Sequence, residues 1–317
     1  GATLFWGLNQ NGKRISGFLS PLGPALPKPL EKYSFEALRE RGYLGSEIKL
    51  EKVIKQEEEY TSWLFSYLAD GKKITGMANV PLRLRSGQAK FPVVLMMRGY
   101  ADDEAYFTGL GTRKAAGVFA ENGFITLAPD FLGFGGSDSS SKDILEARFN
   151  RPVEVLHLLA SIKGLPQANS DKIAIWAHSN GGQIALSVLE ISQKPIPTTL
   201  WAPVTRGFPE SILAYMGEMD DQGKKVKREV DKFVRTYDAK EYSIDNYFAD
   251  INAHLQLHQG LFDPLVAEEW SADFVSQMNS LGKKISYFTY PRSDHNLKQD
   301  WNLVVEQDIK FFQKELD

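Results

Sequence analysis

The chain has 317 residues, 43% hydrophobic and 24% charged, a balance ordinary for a globular protein with one large core and one that excludes disorder as the main state. A net charge of -3 gives no long-range pull toward polyanions, so neither a nucleic-acid partner nor an anionic membrane surface is expected. With no cysteine, a disulfide framework, a thiol nucleophile and a thiolate metal site are excluded.

The first thirty positions are rich in Pro and Gly, and no apolar run in the chain approaches the roughly 20 residues that span a bilayer. The chain starts at Gly1 rather than Met, and residues 2–8 read as an ordinary terminal strand in preference to the remnant of a signal or anchor. The compartment stays open between export or the envelope and the cytoplasm, and the oligomeric state is not legible. Ser34 caps a short helical pattern through Arg41. Residues 1–58 are expected as an N-terminal extension, followed by a catalytic domain over 59–317. Alternation predicts strands over 47–55 and 60–69, and Asp70-Gly71 turns the second into a third strand at 73–80, paired antiparallel.

From Phe91 the pattern changes to short continuous apolar runs at 92–97, 123–129, 172–178, 197–204, 254–259 and 285–290. Stretches of helical period separate them, at 112–122, 142–163, 181–192, 264–281 and 300–315, which is how buried parallel strands with crossover helices read. The fold class is α/β: a mostly parallel, doubly wound sheet of about eight strands with antiparallel strands at its start. One connection breaks the alternation. Residues 205–250 carry helical period at 211–219 and 225–237 and many aromatics, too long a stretch for a structureless loop. They are expected as a helical cap over a site, in preference to a peripheral insertion, with Phe208 and Tyr215 as candidate pocket residues.

The segment from Ile173 to Leu186 is an apolar strand, a tight turn and a helix start, with Ser179 at the apex. A serine held in such a turn projects its hydroxyl above the sheet and sets the next backbone N–H at a positive helix terminus, where it stabilises a developing oxyanion. The turn presses backbone against backbone and needs small residues, supplied by Ala177, Gly181 and Gly182. Ser179 as a mere helix cap is the competing role. His178 is expected as a packing or hydrogen-bonding residue, because neighbouring strand side chains face opposite ways.

A serine hydroxyl needs a base near neutral pKa, and the chain offers five histidines. With the nucleophile on such a turn the chain order is serine, acid, histidine, and only His254, His258 and His295 follow Ser179. His254 and His258 belong to a strand before the best acid. His295 lies in a polar loop after a strand and is the candidate base. Asp263 is the candidate acid: Gly260 lets the chain turn out of its strand, and Pro264 is expected to start the next helix. Capping is the competing role for Asp263. Asp294 is the rival acid, expected instead to brace its loop, since a side chain one residue away rarely reaches the neighbouring ring.

After the strand at 92–97, the Arg98-Gly99-Tyr100 loop is placed to supply a second oxyanion donor. The backbone N–H groups of Tyr100 and Asn180 are the candidate pair, with the Tyr100 ring as a further pocket candidate. The glycine-rich run from Asp130 to Ser137 lacks the spacing of a phosphate cradle and reads as a tight structural loop. No His/carboxylate cluster at ligand spacing occurs, so no metal and no cofactor are expected.

These residues resemble the α/β-hydrolase superfamily, and within it the catalytic domain of the prolyl oligopeptidase family and the dienelactone-hydrolase-like and feruloyl-type esterases. The resemblance covers about residue 60 to the C-terminus. It rests on Asp70-Gly71-Lys72 leading to Gly76 and Pro81, on the Asp130 to Ser137 loop, on Ala177 to Gly182, on Gly260 to Val266 and on Asp294-His295. It implies cofactor-free hydrolysis of an ester or amide through an acyl-serine intermediate. The departures are Ala177 where Gly is usual, Arg98 where His is common, and the long cap. Sixty N-terminal residues are too few for the propeller that peptidases of the family carry. The expected substrate is therefore a small or medium carboxylic ester, acyl or aryl and including the feruloyl type. A serine peptidase acting on short peptides is the alternative, and a silent binding protein on the same fold the remote one.

Overall fold

A computed structural model describes residues 28–84, 87–219 and 221–317, so the apolar start at residues 2–8 lies outside the described residues. Strands β1 (Lys49–Gln56), β2 (Tyr60–Ala69) and β3 (Lys72–Pro81) form an antiparallel ribbon. Asp70 and Gly71 both take positive φ, 48° and 77°, the pair of left-handed residues that a two-residue hairpin turn demands. The turn sets Ala69 opposite Lys72 and carries the register out to Tyr60 opposite Pro81.

The ribbon joins a parallel sheet made of β4 (Phe91–Met97), β5 (Ile125–Pro129), β6 (Ala168–His178), β7 (Thr198–Trp201), β8 (Leu255–Gly260) and β9 (Ile285–Tyr290). The spatial order is β1-β2-β3-β5-β4-β6-β7-β8-β9, with β3 and β5 antiparallel and every pair from β5 to β9 parallel. The sheet has nine strands rather than about eight, the outermost being the exposed β1, whose Lys49, Lys52 and Lys55 protect an open edge. β1 belongs to the stretch expected as an extension, yet it pairs with β2, and Tyr33, Phe35 and Leu38 before it are buried in the main core.

Helix α1 (Phe35–Glu40) starts at Ser34, whose Oγ accepts the Ala37 N–H at 3.2 Å. The crossovers are α2 (Arg113–Glu121), α3 (Ile144–Ser161) and α4 (Asn180–Ser192). Short α5 (Glu210–Leu213), α6 (Lys224–Phe233) and several 3₁₀ turns fill the long β7–β8 connection, and α7 (Glu268–Ser280) and α8 (Trp301–Leu316) follow. Strand alternation splits the core in two. Val93, Leu95 and Met97 join the cluster that packs under α3 and α4, whereas Val94 and Met96 join the one under α2 and α8. Helix α7 starts at Glu268, not at Pro264: Asp263 Oδ1 accepts the Leu265 and Val266 N–H groups at 2.8 and 2.9 Å, but Ala267 is extended, φ −61° and ψ 136°, and separates that turn from the helix. The carboxyl ends of β4, β6, β8 and β9 thus deliver four loops to one rim of the sheet.

Candidate active site

Ser179 joins β6 to α4 with φ 55° and ψ −124°, a conformation rare for a residue with a side chain. It is held there from both sides: its N–H donates to the Trp201 carbonyl, and its carbonyl accepts from the N–H groups of Gly182 and Val204. The turn is passable only because Gly181 lacks a Cβ, which would lie 2.1 Å from the Met97 carbonyl oxygen and 2.6 Å from that of Arg98. Gly99 presses on the nucleophile from the β4 loop, so that a Cβ there would stand 2.9 Å from Ser179 Cβ.

His295 Nδ1 donates to Asp263 Oδ2 at 2.8 Å, and its Nε2 bonds no described residue. The pair is nearly closed to solvent, the two side chains being 8% and 1% exposed. Gly260 permits the approach, since a Cβ there would meet the Ser293 and Asp294 carbonyl oxygens at 2.3 and 2.5 Å. Burial alone would raise the Asp263 carboxyl. The bond from His295 and those from the Val266 and Leu265 N–H groups outweigh it and hold the acid below the usual carboxylate range. One Asp263 oxygen thus braces the turn at residues 264–266 without capping α7, and the other accepts from His295. Gln259, which the sequence reading passed over, donates to Asp263 Oδ2 at 3.1 Å and is itself fixed by Ser271 at 2.9 Å. A Gln at the end of an apolar strand was the signal available for it.

His178 donates from Nε2 to the His295 carbonyl at 3.0 Å, and their rings lie 4.7 Å apart, so the strand that ends at the nucleophile also carries the base loop. Burial, reinforced by the neighbouring imidazole, lowers His178 to about 4 and keeps it neutral. Asp294 accepts from the Asn296 and Lys298 N–H groups and braces the loop. Asp263 and His295 are thus joined directly, whereas Ser179 Oγ makes no hydrogen bond to a described residue. A nucleophile–base bond of this kind commonly closes only around substrate. His254 and His258 are elsewhere, on Glu315 and Asp308.

Asn180 and Tyr100 flank a cavity of about 450 Å³. Their backbone N–H groups bond no described backbone carbonyl, which leaves both donors open. The Tyr100 ring is 87% exposed at the mouth. Phe208 lines the wall, packed edge-on against Phe149 and Phe233 at 5.1 Å each. Tyr215 does not line it. Its ring stands edge-on to Trp270 at 6.1 Å, and burial, with the Asp263 carboxylate adding to it, pushes its phenol up to about 12. It lies on the acid's side because the chain turns away after α5. Arg98 folds back from the rim, donating to the Gly99 and Asp130 carbonyls. The Asp130 carboxylate accepts from Tyr106, Thr75 and Thr108 and holds its glycine-rich loop together.

Residues 111–317 match the model of the prolyl oligopeptidase family. No curated protein matches the chain by sequence. Among solved structures, a puromycin-hydrolyzing peptidase of Mycobacterium tuberculosis superposes with a TM-score of 0.64 at 14% identity, over 82% of this chain. The chain spans only 40% of that peptidase's length. An acetyl xylan esterase from Paenibacillus sp. R4 gives a TM-score of 0.63 at 17% identity, over 87% of this chain and 91% of its own. Est1E from Butyrivibrio proteoclasticus, solved with ferulic acid bound, gives 0.55 at 17% identity, over 79% of this chain and 98% of its own. At such identities the likeness is one of fold.

Proposed function

Since the chain belongs to the prolyl oligopeptidase family and is a serine hydrolase of the α/β-hydrolase fold, we propose that it cleaves carboxylic esters, with Ser179 as nucleophile, His295 as base and Asp263 as the acid that orients it. The observation that carries the assignment of roles is the buried 2.8 Å bond between His295 and Asp263, at the strand rim that also holds the Ser179 turn. His295 Nε2 takes the hydroxyl proton as Ser179 Oγ attacks the carbonyl carbon. The Tyr100 and Asn180 N–H groups hold the oxyanion, and His295 then protonates the leaving alcohol. Water repeats the sequence to release the acid. Asp263 fixes the imidazole tautomer throughout.

Ester ahead of peptide is supported by the acetyl xylan esterase of Paenibacillus sp. R4, which superposes on 87% of this chain with a TM-score of 0.63, and by Est1E, whose solved structure holds ferulic acid. The cap reading of residues 205–250 is supported by Phe208, Ile212, Tyr242 and Ile244, which line the cavity beside Asn180. The test is labelling by a fluorophosphonate together with a panel of 4-nitrophenyl esters and aminoacyl-4-nitroanilides. Labelling at Ser179 and turnover of esters above anilides are expected. No label with the protein folded overturns the enzyme, and turnover of anilides above esters makes it a peptidase.

A further inference from the structure

The cavity beside Ser179 holds more positive charge than its surroundings neutralise. Arg98, Arg148 and Arg151 all line it, against one carboxylate, that of the exposed Asp103 at the rim. None of the three arginines forms an ion pair with a described residue. Arg148, on α3, uses a single nitrogen, Nη2, to reach Gln183 Oε1 and Ser211 Oγ, tying α3 to α4 and α5. The rest of its fork bonds no described residue. Arg151, one helical turn further on, makes no hydrogen bond to a described residue at all. It rests on the Phe131 and Phe134 rings at 4.9 and 5.2 Å, with Nη1 buried and unpartnered. The neighbouring Glu154 offsets the Arg151 charge only in part: it forms no ion pair with it, its two oxygens accept from the Leu132 N–H and Asn150, and burial pushes it up to about 7 against the pull of Arg151. Burial, and after it the Arg151 charge, lowers Arg148 to about 10. Residues 1–27 contain no Asp or Glu, so that stretch has no carboxylate to offer.

Arg151 Nη1 is buried without an acceptor and Arg148 leaves most of its fork unbonded, so a planar acceptor in the cavity would satisfy groups that the described protein residues do not. The position is informative as well. Gln183, which Arg148 holds, is three residues along α4 from the oxyanion donor Asn180, about 4.5 Å of helix rise. An anion at the arginines is therefore within a short chain's reach of a carbonyl at Ser179.

We propose that the substrate is an ester bearing a carboxylate, which Arg148 and Arg151 bind in this cavity as a planar, two-pronged acceptor while Ser179 attacks the ester carbonyl. The proposal rests on the serine-esterase reading and names its substrate class. No additional covalent step is involved; the carboxylate is only bound.

The experiment compares matched substrates in the wild-type protein: mono-4-nitrophenyl adipate against 4-nitrophenyl hexanoate, and 4-carboxyphenyl hexanoate against phenyl hexanoate. The charged member of at least one pair is expected to have a kcat/KM higher by about tenfold or more, and that ratio to collapse in Arg151→Met and fall less in Arg151→Lys. Because Arg148 also ties helices together, it is tested as Arg148→Lys, with fluorophosphonate labelling as the check of the folded site. Ser179→Ala, which cannot turn over, should still be stabilised against heat by free adipate, and Ser179→Ala/Arg151→Met should not. Equal rates within both pairs, or a ratio unmoved by Arg151→Met, overturn the proposal while leaving the esterase intact. Absence of all turnover and labelling, with adipate still stabilising the Ser179→Ala protein, would instead remove the esterase and leave the anion site.

Discussion

Two of the histidine–aspartate pairs among the described residues have both side chains almost wholly buried, His258–Asp308 and His295–Asp263, and they differ in what each histidine has left over. In the interior, His258 Nε2 meets Asp308 Oδ1 at 3.1 Å while His258 Nδ1 meets the Tyr290 hydroxyl at 2.7 Å, so both ring nitrogens are occupied. Asp308 is also claimed by Thr199, Trp201 and Gln256, and neither side chain of the pair has any exposure. At the rim, Asp263 and His295 make a bond of similar length, but only one ring nitrogen is used. A buried, fully satisfied pair fastens β7 and β8 to α8. A pair with one ring nitrogen unbonded, at the rim that also carries the Ser179 turn, is the one suited to the proposed proton transfer.

The largest effect that would break this contrast comes from Ser179→Ala, which should lower ester turnover by about a million-fold with the melting temperature unchanged. Retained turnover would mean that the rim pair serves some other nucleophile. Next, Asp263→Asn should cost about ten-thousand-fold in kcat, because the imidazole loses its enforced tautomer. Asp308→Asn should do the reverse, removing about 3–5 kcal/mol of stability in denaturant titrations while folded protein keeps its turnover per site. If Asp308→Asn silenced a protein of normal stability, the division between the pairs would be wrong.

A third histidine sharpens the comparison through pH. His178 is lowered to about 4 in the folded protein, against about 6.5 when unfolded. Between those values the unfolded chain binds the extra proton, so its contribution is complete above about pH 6.5 and is lost as pH falls toward 4, amounting to about 3 kcal/mol. Melting temperature followed from pH 7 to 4 should show that slope, reduced in His178→Asn. The depressed Asp263 carboxyl has the same sign in a lower window: its contribution is present above about pH 4 and is lost on further acidification. The smallest effect belongs to a site neither pair touches. Ser34→Ala removes the α1 cap and should cost about 1 kcal/mol in a thermal melt, with turnover unaltered.

The local signals were the legible ones. Asp70-Gly71 forced its hairpin, the apolar runs forced buried strands, and the small residues around Ser179 marked a turn where backbones touch. The order serine, acid, histidine then left few choices for the base. What the sequence hid depends on contacts between distant segments. The helix expected from Pro264 begins four positions later because Ala267 is extended, a backbone choice that no local residue pattern announces. Tyr215 was expected in the pocket from its aromatic neighbourhood, but which way a ring faces after a four-residue helix is decided by Trp270, far along the chain. Arg148 and Arg151 read as ordinary charges on an amphipathic helix, since periodicity places a side chain on a face without saying whether an acid waits opposite. The cavity wall contributed by Tyr33 and Phe35 was equally invisible, for nothing near them in sequence carries chemistry.

That wall has a practical side. Because Tyr33, Phe35 and Leu38, in the segment before β1, line the cavity, replacing that segment would reshape the chamber in which the proposed substrate is held. Anyone shortening this enzyme for crystallisation or fusing another protein to its front end would be editing the binding chamber.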